Sequence, residues 1–202
     1  MRIRQLTLLV TVVLVIGFAP ACDPDNTCAN ATPTLTGTEG EDTLEGTDGA
    51  DVILGLGGSD NIYGLGGSDI LCGGPGSDTM FAGKPGDSFD ANPGTTDLLD
   101  GGAAVDDLFG DGGNDRLFGD ADDDFLQGGS GNDHMAGGSG NDNLFGFGPS
   151  SGGSTPGSDT ALGGRGDDFM NFQDAVGDDT LDGGDGVNTC IVDPGDTVSN
   201  CG

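Results

Sequence analysis

The sequence predicts an all-β chain wound as a solenoid of short parallel strands, and three observations carry that expectation. Residues 37–81 read as five nonapeptides laid end to end, GTEGEDTLE, GTDGADVIL, GLGGSDNIY, GLGGSDILC and GGPGSDTMF. Position 8 of every unit is apolar (Leu44, Ile53, Ile62, Leu71, Met80) and position 6 is always aspartate. The 202 residues include 43 glycines and no tryptophan, a composition unsuited to an ordinary globular core. A fixed short period replaces the search for separate helices and strands with one unit stacked on itself.

Each unit divides in two. Glycine at positions 1 and 4 permits positive φ and close backbone approach, which suits a tight turn. The last three residues, of the type TLE, VIL or NIY, suit a strand whose middle side chain points one way and whose neighbours point the other. With successive turns on opposite edges, two nonapeptides make one coil and position 8 fills a thin interior. Position 6 then forms two rows, Asp42, Asp60 and Asp78 on one edge and Asp51, Asp69 and Asp87 on the other, at the roughly 4.8 Å spacing of neighbouring strands. Carboxylates that close repel one another strongly unless a cation lies between them. Carboxylates together with glycine carbonyls are hard oxygen ligands, which favour calcium over zinc or copper.

On these residues the chain resembles the RTX family, the hemolysin-type calcium-binding repeat GGxGxDxUx. The resemblance implies a right-handed parallel β-roll with one calcium in each turn, shared with the turn one coil further on. The alternative for such a composition is an acidic linker that never folds, and the apolar residue at every ninth position argues against it.

In chain order, residues 1–21 read as a signal peptide: Arg2 and Arg4 precede the apolar run 6–18, and Ala19, Pro20 and Ala21 form a small-residue cleavage site. The expected location is extracellular or at the cell surface, where calcium is available and disulfides persist. Residues 22–36 are a polar linker or N-terminal cap. A first array spans 37–99, degenerate from 82, where AGKPGDSFD keeps Asp87 and Phe89 in register and ANPGTTDLL keeps Gly94 and Leu98, leaving Asp100 as one extra residue.

A second array (100–145) repeats as GGAAVDDLF, GDGGNDRLF, GDADDDFLQ, GGSGNDHMA and GGSGNDNLF, with Ala104 and Asp122 in place of the glycine at position 4. Residues 146–156 read as a flexible insertion. A third, irregular array (157–202) carries Asp159, Asp168 and Asp179, then a capping unit with Asn188 for aspartate and Cys190 for the core residue. The resemblance assigns metal ligation to Asp42, Asp51, Asp60, Asp69, Asp78, Asp87, Asp106, Asp115, Asp124, Asp133, Asp142, Asp159, Asp168 and Asp179. Backbone ligands are expected at Gly40, Gly49, Gly58, Gly67, Gly76, Gly113, Gly131, Gly140 and Gly166.

Five cysteines in an exported chain ask for one special thiol. Cys22 directly follows the cleavage site and resembles the lipid-modified cysteine of bacterial lipoproteins, although Ala19 stands where that signal usually has leucine. Lipidation would leave Cys28 to pair with Cys72 and Cys190 with Cys201; ordinary secretion, with Cys22 bridged to Cys28 and Cys72 free, is the alternative.

Charge and motifs restrict the function classes. With 35 acidic and 5 basic residues, nucleic acid is a poor partner. HExxH and GxSxG are absent, and His134, the single histidine, cannot make a three-histidine zinc site, so no enzyme is expected. Position 9 carries a weaker pattern: Tyr63, Phe81 and Leu99 on one face, Phe109 and Phe145 on one face of the second array and Phe118 on the other. These side chains point outward in a regular roll, either packed under irregular loops or as an apolar stripe for a partner. The expected function is calcium binding coupled to folding, in a non-catalytic structural or surface module; the alternative is calcium-dependent adhesion or recognition through that stripe.

Overall fold

The computed structural model describes residues 27–83, 95–146, 157–174 and 178–202. After one short helix, α1 (Thr27–Asn30), all regular structure is strand: β1 (Leu35–Thr36), β2 (Thr43–Glu45), β3 (Val52–Leu54), β4 (Asn61–Tyr63), β5 (Ile70–Pro75), β6 (Thr79–Phe81), β7 (Leu98–Ala103) and β8 (Asp107–Phe109). The second half adds β9 (Arg116–Ala121), β10 (Phe125–Gln127), β11 (His134–Ser139), β12 (Asn143–Phe145), β13 (Thr160–Arg165), β14 (Phe169–Asn171), β15 (Thr180–Asp185), β16 (Thr189–Ile191) and β17 (Thr197–Ser199). Odd-numbered strands form one nine-stranded parallel sheet and even-numbered strands an eight-stranded one, so the chain crosses from sheet to sheet at every turn.

Alternation along a three-residue strand explains the core. The second residue of each strand from β2 to β16 points between the sheets, and it pairs in register with the second residue one coil away, as Ile53 does with Leu71 and Leu44 with Ile62. Ile53, Ile62, Leu71, Met80, Leu108, Leu117, Leu126, Met135 and Leu144 are fully buried. Each such side chain is worth about 1.5–3 kcal/mol of burial, and together they form a single file rather than a wide core.

Strand pairing crosses both irregular stretches, β5 with β7 and β11 with β13. It also corrects the expected phase. Counting by nines from residue 82 puts Leu98 inside and Leu99 outside, but β7 pairs Leu99 with Leu71 and Leu117 and buries it fully. Asp100 is therefore a regular position 9 residue, opposite Cys72 and Phe118, and the extra length precedes β7. Burying Leu99 in the single-file core is what selects this register.

On the outer face of the eight-stranded sheet Tyr63, Phe81, Phe109, Phe125, Phe145 and Phe169 form an unbroken ladder, with adjacent ring centroids 4.6–5.8 Å apart. Phe125 and Phe169 join it from position 7. Phe118 lies on the other sheet, buried, with the Arg116 guanidinium 5.2 Å from its ring centroid and the His134 ring edge-on at 6.2 Å. Cys28 is joined to Cys72, tying α1 to β5, and Cys190 to Cys201, closing the last coil; the Cα atoms are 6.0 and 5.8 Å apart.

Candidate metal centre

The regular turns from residue 55 onward, six residues from position 1 to position 6, share one backbone shape. Positions 2 and 4 take positive φ, with glycine at both in half of these turns, such as Gly74 and Gly76 or Gly138 and Gly140. The same two positions hold Leu56 (82°), Leu65 (78°), Asp111 (65°), Asp120 (78°), Ala104 (85°) and Asp122 (80°) in that left-handed region. A non-glycine residue there costs about 1–2 kcal/mol, so six of them at equivalent places mark a conformation the turn requires. Units lacking glycine at position 4 thus keep the turn of the others.

Position 6 forms two rows, one on each edge. Along the first, each backbone N–H donates to a side-chain oxygen of the next coil, a carboxylate from Asp42 to Asp60, Asp60 to Asp78, Asp78 to Asp106, Asp106 to Asp124, Asp124 to Asp142 and Asp142 to Asp168, and the amide oxygen of Asn188 from Asp168. The second row runs Asp51, Asp69, Asp97, Asp115, Asp133, Asp159, Asp179 and Asp196 by the same bond. Asp97 is the neighbour of Asp69; Asp87, expected there, lies outside the described residues. Counting back two nonapeptides from Asp115 reaches Asp97, a signal that forward counting from residue 82 misses. Asp196 had no such signal, because it follows Asp179 by 17 residues, a spacing outside the period.

From Asp60 and Asp69 onward one oxygen of each carboxylate is thereby satisfied. The other, Oδ2, is buried without a hydrogen-bond partner in Asp60, Asp69, Asp78, Asp106, Asp115, Asp124, Asp133, Asp142, Asp168 and Asp179. A buried anionic oxygen left unpaired is costly, and such a group takes up a proton or a cation. Burial raises most carboxyls of the two rows from the ordinary 3.8, to about 6 for Asp78, Asp133 and Asp179, about 7 for Asp69 and Asp142, about 8 for Asp124 and Asp159 and about 9 for Asp106 and Asp115. Hydrogen bonds from the preceding coil oppose the shift, and neighbouring aspartates in the row add to it in most cases.

A second oxygen converges on the same place. A Cβ built on Gly110 would stand 2.5 Å from the Gly128 carbonyl oxygen and 3.0 Å from Asp115 Oδ2; Gly55 and Gly163 face the equivalent pair. Position 1 is therefore glycine because a carboxylate oxygen and the next coil's carbonyl both crowd its α-carbon. Among the described residues no three His, Cys, Asp or Glu side chains cluster closely enough to cage an ion by themselves. A cation here would need backbone carbonyls to complete its shell, and the all-oxygen donor set fits calcium.

Position 5 carries a side-chain ladder that the nonapeptide reading passed over. The amide of Asn132 donates to Asn114 Oδ1, Ser158 to Asn132 Oδ1, Asn141 to Asp123 Oδ1 and Asp167 to Asn141 Oδ1, opposite in sense to the position 6 row. The units of 37–81 have Glu, Ala or Ser at this position, and there Ser68 Oγ accepts the Thr96 amide at 3.1 Å in the same sense.

No curated protein matches the chain. A family model described as the RTX calcium-binding nonapeptide repeat matches residues 36–71, 45–80, 57–89, 96–117, 109–144, 154–171 and 171–198. Those segments cover most of the chain and both aspartate rows, and the structure is the parallel β-roll that such repeats imply. The chain therefore belongs to the family of RTX calcium-binding repeat proteins.

Proposed function

We propose that this chain binds several calcium ions in the turns from residue 55 onward, through the position 6 carboxylates and turn carbonyls, and that folding is coupled to their uptake. The buried, unpartnered Oδ2 atoms carry the reading: on both edges the fold presents carboxylate oxygens, ten among the described residues, to which it offers no donor. Asp60, Asp78, Asp106, Asp124, Asp142 and Asp168 would serve one edge and Asp69, Asp97, Asp115, Asp133, Asp159 and Asp179 the other. Extracellular calcium modules have Kd values of about 0.1–1 mM, so calcium at ten times Kd contributes about 1.4 kcal/mol per site. One site matters little, but many along one stack decide whether the chain folds.

No catalysis is proposed. The two disulfides fit an oxidising compartment, and with the reading of residues 1–21 they support export; the signal segment and Cys22, with its proposed lipid, lie outside the described residues. A second reading, calcium-dependent adhesion, draws on the six-ring ladder, whose members are half-buried. Their faces already stack on one another, which accounts for the ladder as sheet packing. Far-UV circular dichroism of residues 22–202 with Cys22→Ser tests the main reading. A cooperative gain of β signal with calcium and none with magnesium is expected; a coil spectrum unchanged at about 10 mM calcium, well above the expected range, rejects it. Loss of partner binding in Phe109→Ser with Phe145→Ser, at unchanged calcium uptake, would favour adhesion.

A further inference from the structure

Two of the regular six-residue turns are built differently from the others. In 37–42 and 46–51 position 2 is threonine, and none of Thr38, Gly40, Thr47 and Gly49 has positive φ. The amide and hydroxyl of Thr38 donate to Asp42 Oδ2 at 2.6 and 2.8 Å, and those of Thr47 to Asp51 Oδ2 at 2.7 and 2.8 Å. Gly40 and Gly49 amides donate in turn to the threonine hydroxyls, both at 3.2 Å. The atom left without a partner in later turns is doubly satisfied here. The next two turns have Leu56 and Leu65 at position 2, which offer no hydroxyl, and there Asp60 and Asp69 Oδ2 are buried and unpartnered.

The open face of the same coil is also finished without an ion. Register places Pro33 at position 6 of the partial first coil, and proline has no N–H to give the row. Thr34 Oγ1 donates to Asp51 Oδ1 at 2.9 Å instead, where an amide serves every later member. The Cys28–Cys72 bridge then ties α1 to β5.

We propose that residues 34–54 form a calcium-independent terminal coil, in which Thr38 and Thr47 supply by hydrogen bonding what a cation supplies at the later turns. Asp42 and Asp51 are then structural acceptors rather than calcium ligands, against the assignment that the nonapeptide pattern alone makes. The roll keeps one folded end in the absence of calcium, and coils that need calcium assemble onto it. This inference rests on the reading that the later turns take calcium.

The test uses the full chain and two readouts, the number of calcium ions bound by native mass spectrometry and amide exchange in chelator. Asp42→Asn with Asp51→Asn is expected to keep the wild-type ion count, while Asp60→Asn with Asp69→Asn loses ions. Thr38→Val with Thr47→Val should leave the count unchanged and speed amide exchange of 37–54 in chelator by about tenfold, the loss of one net hydrogen bond. Equal ion loss in the two aspartate variants overturns the proposal, as does unchanged exchange in the threonine variant. A wild-type chain that takes up no calcium rejects the reading of the later turns instead, and the exchange measurement, made wholly in chelator, still decides the threonine closure.

Discussion

On one edge of the roll the stretch from position 1 to position 6 is always six residues long, 37–42, 55–60, 73–78, 101–106, 119–124, 137–142, 163–168 and 183–188, and from residue 73 onward the preceding strand runs into its first three residues. The opposite edge has regular turns at 46–51, 64–69, 110–115 and 128–133, but it also carries 82–97, 146–159, 172–179 and the short 192–196. All departures from the period thus fall on one side. Asp69 and Asp97 are bonded neighbours although 28 residues apart, where Asp51 and Asp69 are 18 apart. A longer connection costs only a slowly growing closure entropy, provided that its ends return to adjacent places in the ladder. Uniformity on the first edge and tolerance on the second are compatible because the interior file sets the register for both.

Removing the cation acts on both edges at once and has the largest expected effect. Asp106 on the uniform edge and Asp115 on the variable one are both raised to about 9 by burial. A carboxyl raised in the folded chain holds its proton more tightly there than when unfolded. Its contribution is full below the ordinary value of 3.8 and is lost as pH rises through the folded values, about 6 for Asp78 to about 9 for Asp106. In chelator the chain should therefore be more folded at pH 5 than at pH 9 by circular dichroism, and saturating calcium should abolish the difference at neutral pH and above. Greater stability at pH 9 than at pH 5 in chelator would contradict the burial of both rows.

Insertions separate the edges next. Four residues, Gly-Ser-Gly-Ser, placed between Ser77 and Asp78 displace a carboxylate that receives the Asp60 amide, and should cost more than about 3 kcal/mol in urea unfolding with calcium present. The same four placed between Ser150 and Ser151 should cost under about 1 kcal/mol. Comparable losses would remove the distinction.

Glycine substitutions sharpen it at a single atom. A Cβ on Gly73 meets the Asp78 carboxylate and the Gly101 carbonyl oxygen at 2.8 Å, whereas one on Gly83 meets only the Asp111 side chain, also at 2.8 Å. Gly73→Ala is expected to lower stability by about 2 kcal/mol and Gly83→Ala by less than about 1, since a side-chain end yields where backbone does not. The smallest effect expected is on the ladder between the edges. Phe109→Leu keeps an apolar side chain but breaks the 4.6 Å stacking with Phe81, for a loss of about 1 kcal/mol and no change in calcium affinity.

The period, the parallel coil, the interior residue of nearly every unit and the oxygen character of the turns were all legible from residues 37–81 and 101–145, because a repeat states its geometry many times over. The sequence by itself also identified the cysteine pairs as possible partners, though among alternatives. Tertiary structure decided what depends on neighbours one coil away. It placed Asp97 and Leu99 in their rows, since pairing with β5 and β9 outweighs counting from residue 82. It brought Asp196 under Asp179 across an irregular spacing, and Phe125 and Phe169 into a ring ladder from position 7. It also distinguished turns that share the repeat's fixed positions. GTEGED and GLGGSD differ at positions 2, 3 and 5, and only the folded turn shows the position 2 hydroxyl of the first reaching the carboxylate oxygen that its neighbours leave bare. A linear pattern records which residue occupies a position, while the partner of a buried atom is set by the chain that stacks against it.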